Sequence, residues 1–186
     1  MIKGPPLLFY LFIPILVSCT TQIPQREASS DDAGNSKSRH ITAPFFPQEK
    51  NQCGPASLAS ILQFYGIETT PDEISNEIYL PRIKGTLNID LVFYARSKGM
   101  NAEAYHGDMA DLKKRISEER PLLLFLNLGL KVFPAGHYIV VTGFDDKDKI
   151  IYAHSGSERD KPIRYSEFIR AWERGDFWTL LVTPKI

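Results

Sequence analysis

Leu122-Leu123-Leu124-Phe125-Leu126 is an unbroken run of large apolar side chains, and Tyr138-Ile139-Val140-Val141-Thr142-Gly143-Phe144 is a second run, β-branched and aromatic. Both are short and favour extended backbone, so the second half of the chain must build a sheet. Residues 149–153 and 178–182 add strands, and Asp145-Asp146-Lys147-Asp148 reads as a hairpin turn between two of them. Before Pro121 the periodicity is helical. Ala56, Leu58, Ala59, Ile61, Leu62 and Tyr65 recur at helical spacing behind Cys53-Gly54-Pro55, and Gly66 stops the run. Thr70-Pro71-Asp72-Glu73 forms a capping box for a short helix through Ile78. Asn88 opens a third helix through Ser97, ended by Gly99, and Asp108 a fourth from Met109 to Glu119. Ser166 is expected to cap a last helix from Glu167 to Glu173. Helices first and an antiparallel sheet second predict an α+β domain, with N-terminal helices packed on a C-terminal sheet.

Composition narrows the function classes without choosing one. The chain has 186 residues, enough for one domain of ordinary size. Lys+Arg and Asp+Glu are both 22, so no basic excess exists to neutralise phosphates, and nucleic acid is not an expected partner. Two cysteines cannot make a disulfide scaffold or a four-thiolate zinc site, and His40, His106, His137 and His154 show no metal-ligand spacing. No metal or organic cofactor is expected.

The N-terminus reads as an address. Lys3 precedes an apolar stretch of eleven residues, Leu7 to Val17. At about 1.5 Å per residue it is too short for a hydrocarbon core of about 30 Å, so a signal peptide is expected over residues 1–18. Leu16-Val17-Ser18-Cys19 resembles the lipobox of bacterial lipoproteins. That resemblance implies cleavage before Cys19, its acylation, and a lipid anchor in the membrane; an ordinary signal peptide is the alternative. Thr20 follows, where an aspartate would resemble an inner-membrane retention signal, so the outer membrane, facing the periplasm, is the expected location. Residues 19–40, polar with almost no apolar content after Ile23, read as a flexible tether. The folded domain is expected over residues 41–186.

Cys53 and His137 carry the chemical interest. If Cys19 carries lipid, Cys53 has no disulfide partner in a compartment that oxidises thiols. The start of a helix places unsatisfied N–H groups beside the sulfur and favours thiolate, and Gly54 leaves room for a substrate carbonyl. A small buried hydrophobe is the other reading of Cys53. His137, after Gly136 and at the start of a strand, can project into a cleft as the base an activated thiol requires, or simply donate to backbone at a strand edge.

The segment from Phe46 to Leu58, FPQEKNQCGPASL, resembles the nucleophile motif of the bacteriocin-processing peptidases, a family of papain-like cysteine peptidases known as leader-cleaving domains of peptide-exporting transporters. Gly136-His137-Tyr138-Ile139-Val140-Val141-Thr142-Gly143-Phe144-Asp145 resembles its histidine strand. The similarity runs from Phe45 to the C-terminus, through Tyr79-Leu80-Pro81, Lys84-Gly85-Thr86 and Asn127-Leu128-Gly129, and is closer to stand-alone exported relatives than to transporter-fused domains. The resemblance implies a papain-like fold with Cys53 as nucleophile and His137 as the base that returns its proton to the leaving amine. It implies Gln48 as oxyanion donor, a contribution of about 3 kcal/mol in such sites; Gln52 is the alternative donor by chemistry.

At the third position the family places an aspartate, in an Asp-Pro pair. Here the residues are Ala153-His154-Ser155-Gly156, with Ser155 in that place. A hydroxyl orients an imidazole but does not stabilise imidazolium as a carboxylate does. His137 is expected to lean on Ser155 or Asn127, or to act in a dyad; Asp145 and Asp146 lie at the far end of its strand. The expected function is a membrane-anchored periplasmic cysteine peptidase acting on peptides or proteins, or a relative performing another acyl transfer, with an export or envelope complex as partner. This sequence contains no Gly-x-x-x-x-Gly-Lys-Ser/Thr loop, so any ATP dependence would lie in such a partner. The alternatives are a catalytically inactive descendant that binds a peptide in the old cleft, and a structural envelope lipoprotein in which Cys53 merely packs.

Overall fold

The structure, a computed structural model, describes Met1 and residues 37–49, 51–130 and 132–185. Cys19 and all but Met1 of the expected signal peptide lie outside these residues. In chain order the elements are β1 (Ser38–His40), α1 (Cys53–Phe64), α2 (Pro71–Ile78), α3 (Asn88–Ser97), β2 (Met100–His106) and α4 (Met109–Ser117). There follow β3 (Leu122–Asn127), β4 (Gly136–Asp145), β5 (Ile150–Ser155), β6 (Glu158–Arg164), α5 (Tyr165–Arg174) and β7 (Trp178–Pro184).

Local chemistry sets the helix ends. Thr70 caps α2 reciprocally: its hydroxyl accepts from the Glu73 N–H at 3.2 Å, and the Glu73 carboxylate accepts from the Thr70 N–H at 2.8 Å. The Asp108 carboxylate caps α4, accepting from the N–H groups of Ala110 and Asp111. That helix stops at Ser117, short of Glu119. Ser166 does not cap α5. The helix already begins at Tyr165, behind an extended Arg164 that makes no side-chain cap bond.

The strands are all antiparallel, in the order β2-β7-β3-β4-β5-β6. β1 pairs with β4 beyond the end of β3, setting Ser38 opposite Asp145 and His40 opposite Gly143. A Cβ on Gly143 would lie 2.7 Å from the Arg39 carbonyl oxygen, so glycine is what lets β1 approach. Composition places Ser38–His40 in the tether; the structure places them in the sheet.

Alternating side chains divide the core in two. Leu123, Tyr138, Val140, Leu180 and Val182 pack with Leu58, Leu62 and Leu91 of α1 and α3. Leu122, Leu124, Ile139, Val141 and Leu181 pack with Leu112 of α4 and with Phe168 and Trp172 of α5. The α+β class stands, but the sheet is a middle layer and not a floor under N-terminal helices alone. Coverage on both faces explains why β3 and β4 read as continuous apolar runs.

The chain from Ile41 to Gln48 runs over the β4–β5 side of the sheet. Ile41 donates to the Thr142 carbonyl at 2.7 Å. Buried His154 holds the next segment: its Nε2 lies 3.1 Å from the Ala43 carbonyl, and its Nδ1 accepts from the Asp160 N–H at 3.2 Å. Accepting at Nδ1 requires the neutral, Nε2–H imidazole. Burial holds the His154 pKa below its ordinary value, helped by Arg159 and His40 and opposed by the Ala43 carbonyl and Asp160.

This packing can be tested at two residues. Leu123 is fully buried, so Leu123→Ala should lower unfolding free energy by about 3 kcal/mol in a urea titration. For His154 the folded pKa lies below the unfolded one of about 6.5, so its contribution is complete above that value and is lost as pH falls through it. The urea midpoint should therefore drop between about pH 7 and about pH 5, more shallowly in His154→Gln.

Candidate active site

Cys53 is the first residue of α1, half-buried against the α1–α3 core and not in a disulfide. Its N–H belongs to the first helical turn, where no partner exists within the helix and the helix dipole is positive. Glycine at the next position also has a packing reason. A Cβ on Gly54 would meet the Tyr138 ring at 3.3 Å and Thr86 Cβ at 3.4 Å, so its absence seats the tyrosine under the helix start. The Tyr138 hydroxyl donates to the Asn88 carboxamide oxygen and lies 3.2 Å from the Thr86 carbonyl, tying the segment before α3 to the sheet.

His137 is the second residue of β4, opposite Leu126 of β3. Its Nε2 lies 2.9 Å from Ser155 Oγ, at the end of β5. The β5–β6 ladder slips between Ala153 and Ser155, a bulge-like irregularity of the kind that re-aims side chains near functional sites. His154 and Ser155 consequently serve different places, one on Ala43 and the other on His137. Burial lowers the His137 pKa, and Lys161 adds in the same direction. The imidazole is thus favoured neutral. In the tautomer whose Nε2–H donates to Ser155 Oγ, Nδ1 is left as the basic nitrogen.

The other candidates for orienting His137 are elsewhere. Asn127 Oδ1 accepts from the Gly129 and Ala135 N–H groups at 3.0 and 2.9 Å, closing the base of the β3–β4 loop. Asp145 caps its own turn by accepting from Lys147 and Asp148, and Asp146 binds Lys113 and Tyr165. Gln52 donates to Asp72 at 3.2 Å, pointing toward α2. Gln48 does line the site, but its amide nitrogen donates to Ser57 Oγ and to the Tyr138 carbonyl, both at 3.1 Å.

Cys53, His137 and Gln48 share one cleft of about 850 Å³. Its apolar wall residues are Ile83, Leu87, Ile89, Phe125 and Pro134. Of these, Ile83 is 52% exposed. These wall residues escape a reading of the sequence, since isolated apolar residues in polar loops carry no periodicity. Asn51, with φ at +67°, also lines the cleft and is equally hidden. Among the described residues no cluster of His, Cys, Asp and Glu is placed to hold a metal.

Comparison with known proteins places this geometry. The chain is 28% identical over 124 residues to the pediocin PA-1 transport/processing ATP-binding protein of Pediococcus acidilactici, covering 67% of this chain but 16% of that protein. An uncharacterised protein of Methanothermobacter marburgensis is 30% identical over 96 residues, 52% of this chain and 60% of its own length. The chain thus spans less than two thirds of either relative. Among solved structures, a double-glycine-motif protease from an AMS/PCAT transporter, in complex with the leader peptide, superposes with a TM-score of 0.63 at 24% identity, covering 79% of this chain and 95% of that one. A C39-like peptidase structure from Bacillus anthracis gives 0.64 at 16% identity, covering 80% and 98%. The family model described as Peptidase C39 like matches residues 40–177. The chain therefore belongs to the peptidase C39-like family.

Proposed function

We propose that this protein is a cysteine peptidase that cleaves a peptide bond through Cys53 and His137. The observation that carries the reading is the convergence of the helix-start thiol and the His137–Ser155 pair on one cleft. The Cys53 thiol passes its proton to His137 Nδ1 as the sulfur attacks the peptide carbonyl carbon. The new oxyanion faces the Cys53 N–H at the helix start. Collapse releases the amine with the proton from His137, and water, deprotonated by the same imidazole, hydrolyses the thioester. Because His137 is favoured neutral and its neighbour is a hydroxyl, the proton transfer accompanies attack instead of preceding it.

The substrate reading is a peptide with apolar side chains for the walls built by Ile83, Leu87 and Ile89. The solved relative bound to a leader peptide and the pediocin transport/processing protein support a peptide as substrate. Acylation at Cys19, a tether ahead of β1, an outer-membrane location facing the periplasm, membership of a stand-alone exported branch and association with an export or envelope complex complete the proposal. Ser155 in place of a carboxylate favours one second reading, a peptide-binding domain without turnover.

Two measurements decide between them. A haloacetamide should alkylate Cys53 near neutral pH, followed by mass spectrometry at that residue, and His137→Ala should slow the reaction at least about ten-fold. Equal rates in the two proteins would leave only the binding reading. Ser155→Asp puts a carboxylate at His137 Nε2, which should raise the imidazole pKa by about one unit and raise alkylation at about pH 6 roughly ten-fold. An unchanged rate would mean that His137 does not activate the thiol.

A further inference from the structure

The Gln48 carboxamide makes three hydrogen bonds, and each ends beside a different member of the site. Oε1 accepts from the Gly156 N–H at 2.9 Å, the residue after Ser155. Nε2 donates to the carbonyl of Tyr138 at 3.1 Å, the residue after His137. It also donates to Ser57 Oγ at 3.1 Å, one turn along α1 from Cys53. The Gln48 N–H donates in turn to the Gly156 carbonyl at 2.8 Å, so Gln48 and Gly156 are doubly bonded. Chemistry fixes which way the amide points, because the Gly156 N–H can only donate and the Tyr138 carbonyl can only accept. Both Nε2 hydrogens are engaged, and donation to a substrate oxyanion requires release of Ser57 or Tyr138.

The same bonds brace the sheet at Ser155, where its register has just slipped. Strand pairing is irregular there, since the β5–β6 register slips just before it, and Gly156 turns the chain at φ +62°. The Gln48–Gly156 pair holds this corner beside the Ser155–Glu158 strand pairing. We propose that Gln48 is a positioning residue: by holding Gly156 it keeps Ser155 Oγ beside His137 Nε2, where the hydroxyl accepts from Nε2–H and Nδ1 is left free to act as base. This rests on the reading of His137 as the base for Cys53. If the corner relaxes, Nε2–H loses its acceptor and the Nδ1–H form, which cannot accept the thiol proton at that nitrogen, gains population.

The test is ¹⁵N NMR of the histidine rings in the full chain, paired with the pH profile of Cys53 alkylation. In Gln48→Ala the His137 ring should shift from the Nε2–H form toward a mixture, as in Ser155→Ala, and alkylation near neutral pH should slow about ten-fold. Ser57→Ala, which removes a bond remote from the Ser155 corner, should leave the tautomer unchanged. The His154 ring signals report that the sheet is intact; should Gln48→Ala disturb them, the volume-matched Gln48→Met replaces it, with the same shift of the His137 ring expected. An unaltered His137 tautomer and alkylation profile beside lost peptide hydrolysis would overturn the proposal and make Gln48 an oxyanion donor only. Should wild-type Cys53 react no faster than in His137→Ala, the peptidase reading fails, while the NMR comparison still decides whether Gln48 positions Ser155 and His137.

Discussion

A strand hydrogen-bonded along both edges and covered on both faces has no alternative register, and β4 is such a strand. β3 and β1 occupy one edge and β5 the other, while Ile139 and Val141 face one helical layer and Tyr138 and Val140 face the other. A slip of one residue would reverse every one of these side chains. His137 sits immediately before this locked stretch, so the imidazole inherits a position that its own contacts need not define. α1 is packed onto the same strand, with Tyr138 filling the space that Gly54 leaves. The relation between sulfur and imidazole is thus a consequence of core packing.

Ser155 gives the site a distinct electrostatic character. A carboxylate would reward imidazolium; a hydroxyl aligns the ring and adds no charge, while burial and Lys161 both disfavour the cation. The pair His137–Ser155 therefore selects orientation over charge stabilisation. Desolvation is the first cause of the lowered proton affinity of His137.

Much of this is legible in the residues because the signals are local. A capping box at Thr70, a stop at Gly99 and the apolar runs of β3 and β4 each act within a few positions. β2 and β6 are not legible, and for a shared reason: they are the two edges of the sheet. β6 is charged and carries Pro162, and β2 alternates Glu and Asn with small residues, features that keep an edge soluble and also disguise it as loop. Cys53, His137 and Ser155 can be picked out by motif, but not which group meets His137, since Ser155 and Asn127 are equivalent until the bulge in β5 is seen. Gln48 is legible as a motif residue and illegible as a clamp, because its partners lie 9, 90 and 108 positions away.

The Asn127 carboxamide has a consequence for how this cleft can diversify. By taking the N–H groups of both Gly129 and Ala135, it staples the two stems of the β3–β4 loop one residue from where the strands resume pairing. Whatever lies beyond that staple is mechanically insulated from the imidazole. The exposed tip bearing Val132 and Phe133 can be lengthened, shortened or exchanged as a cassette while His137 keeps its place in β4.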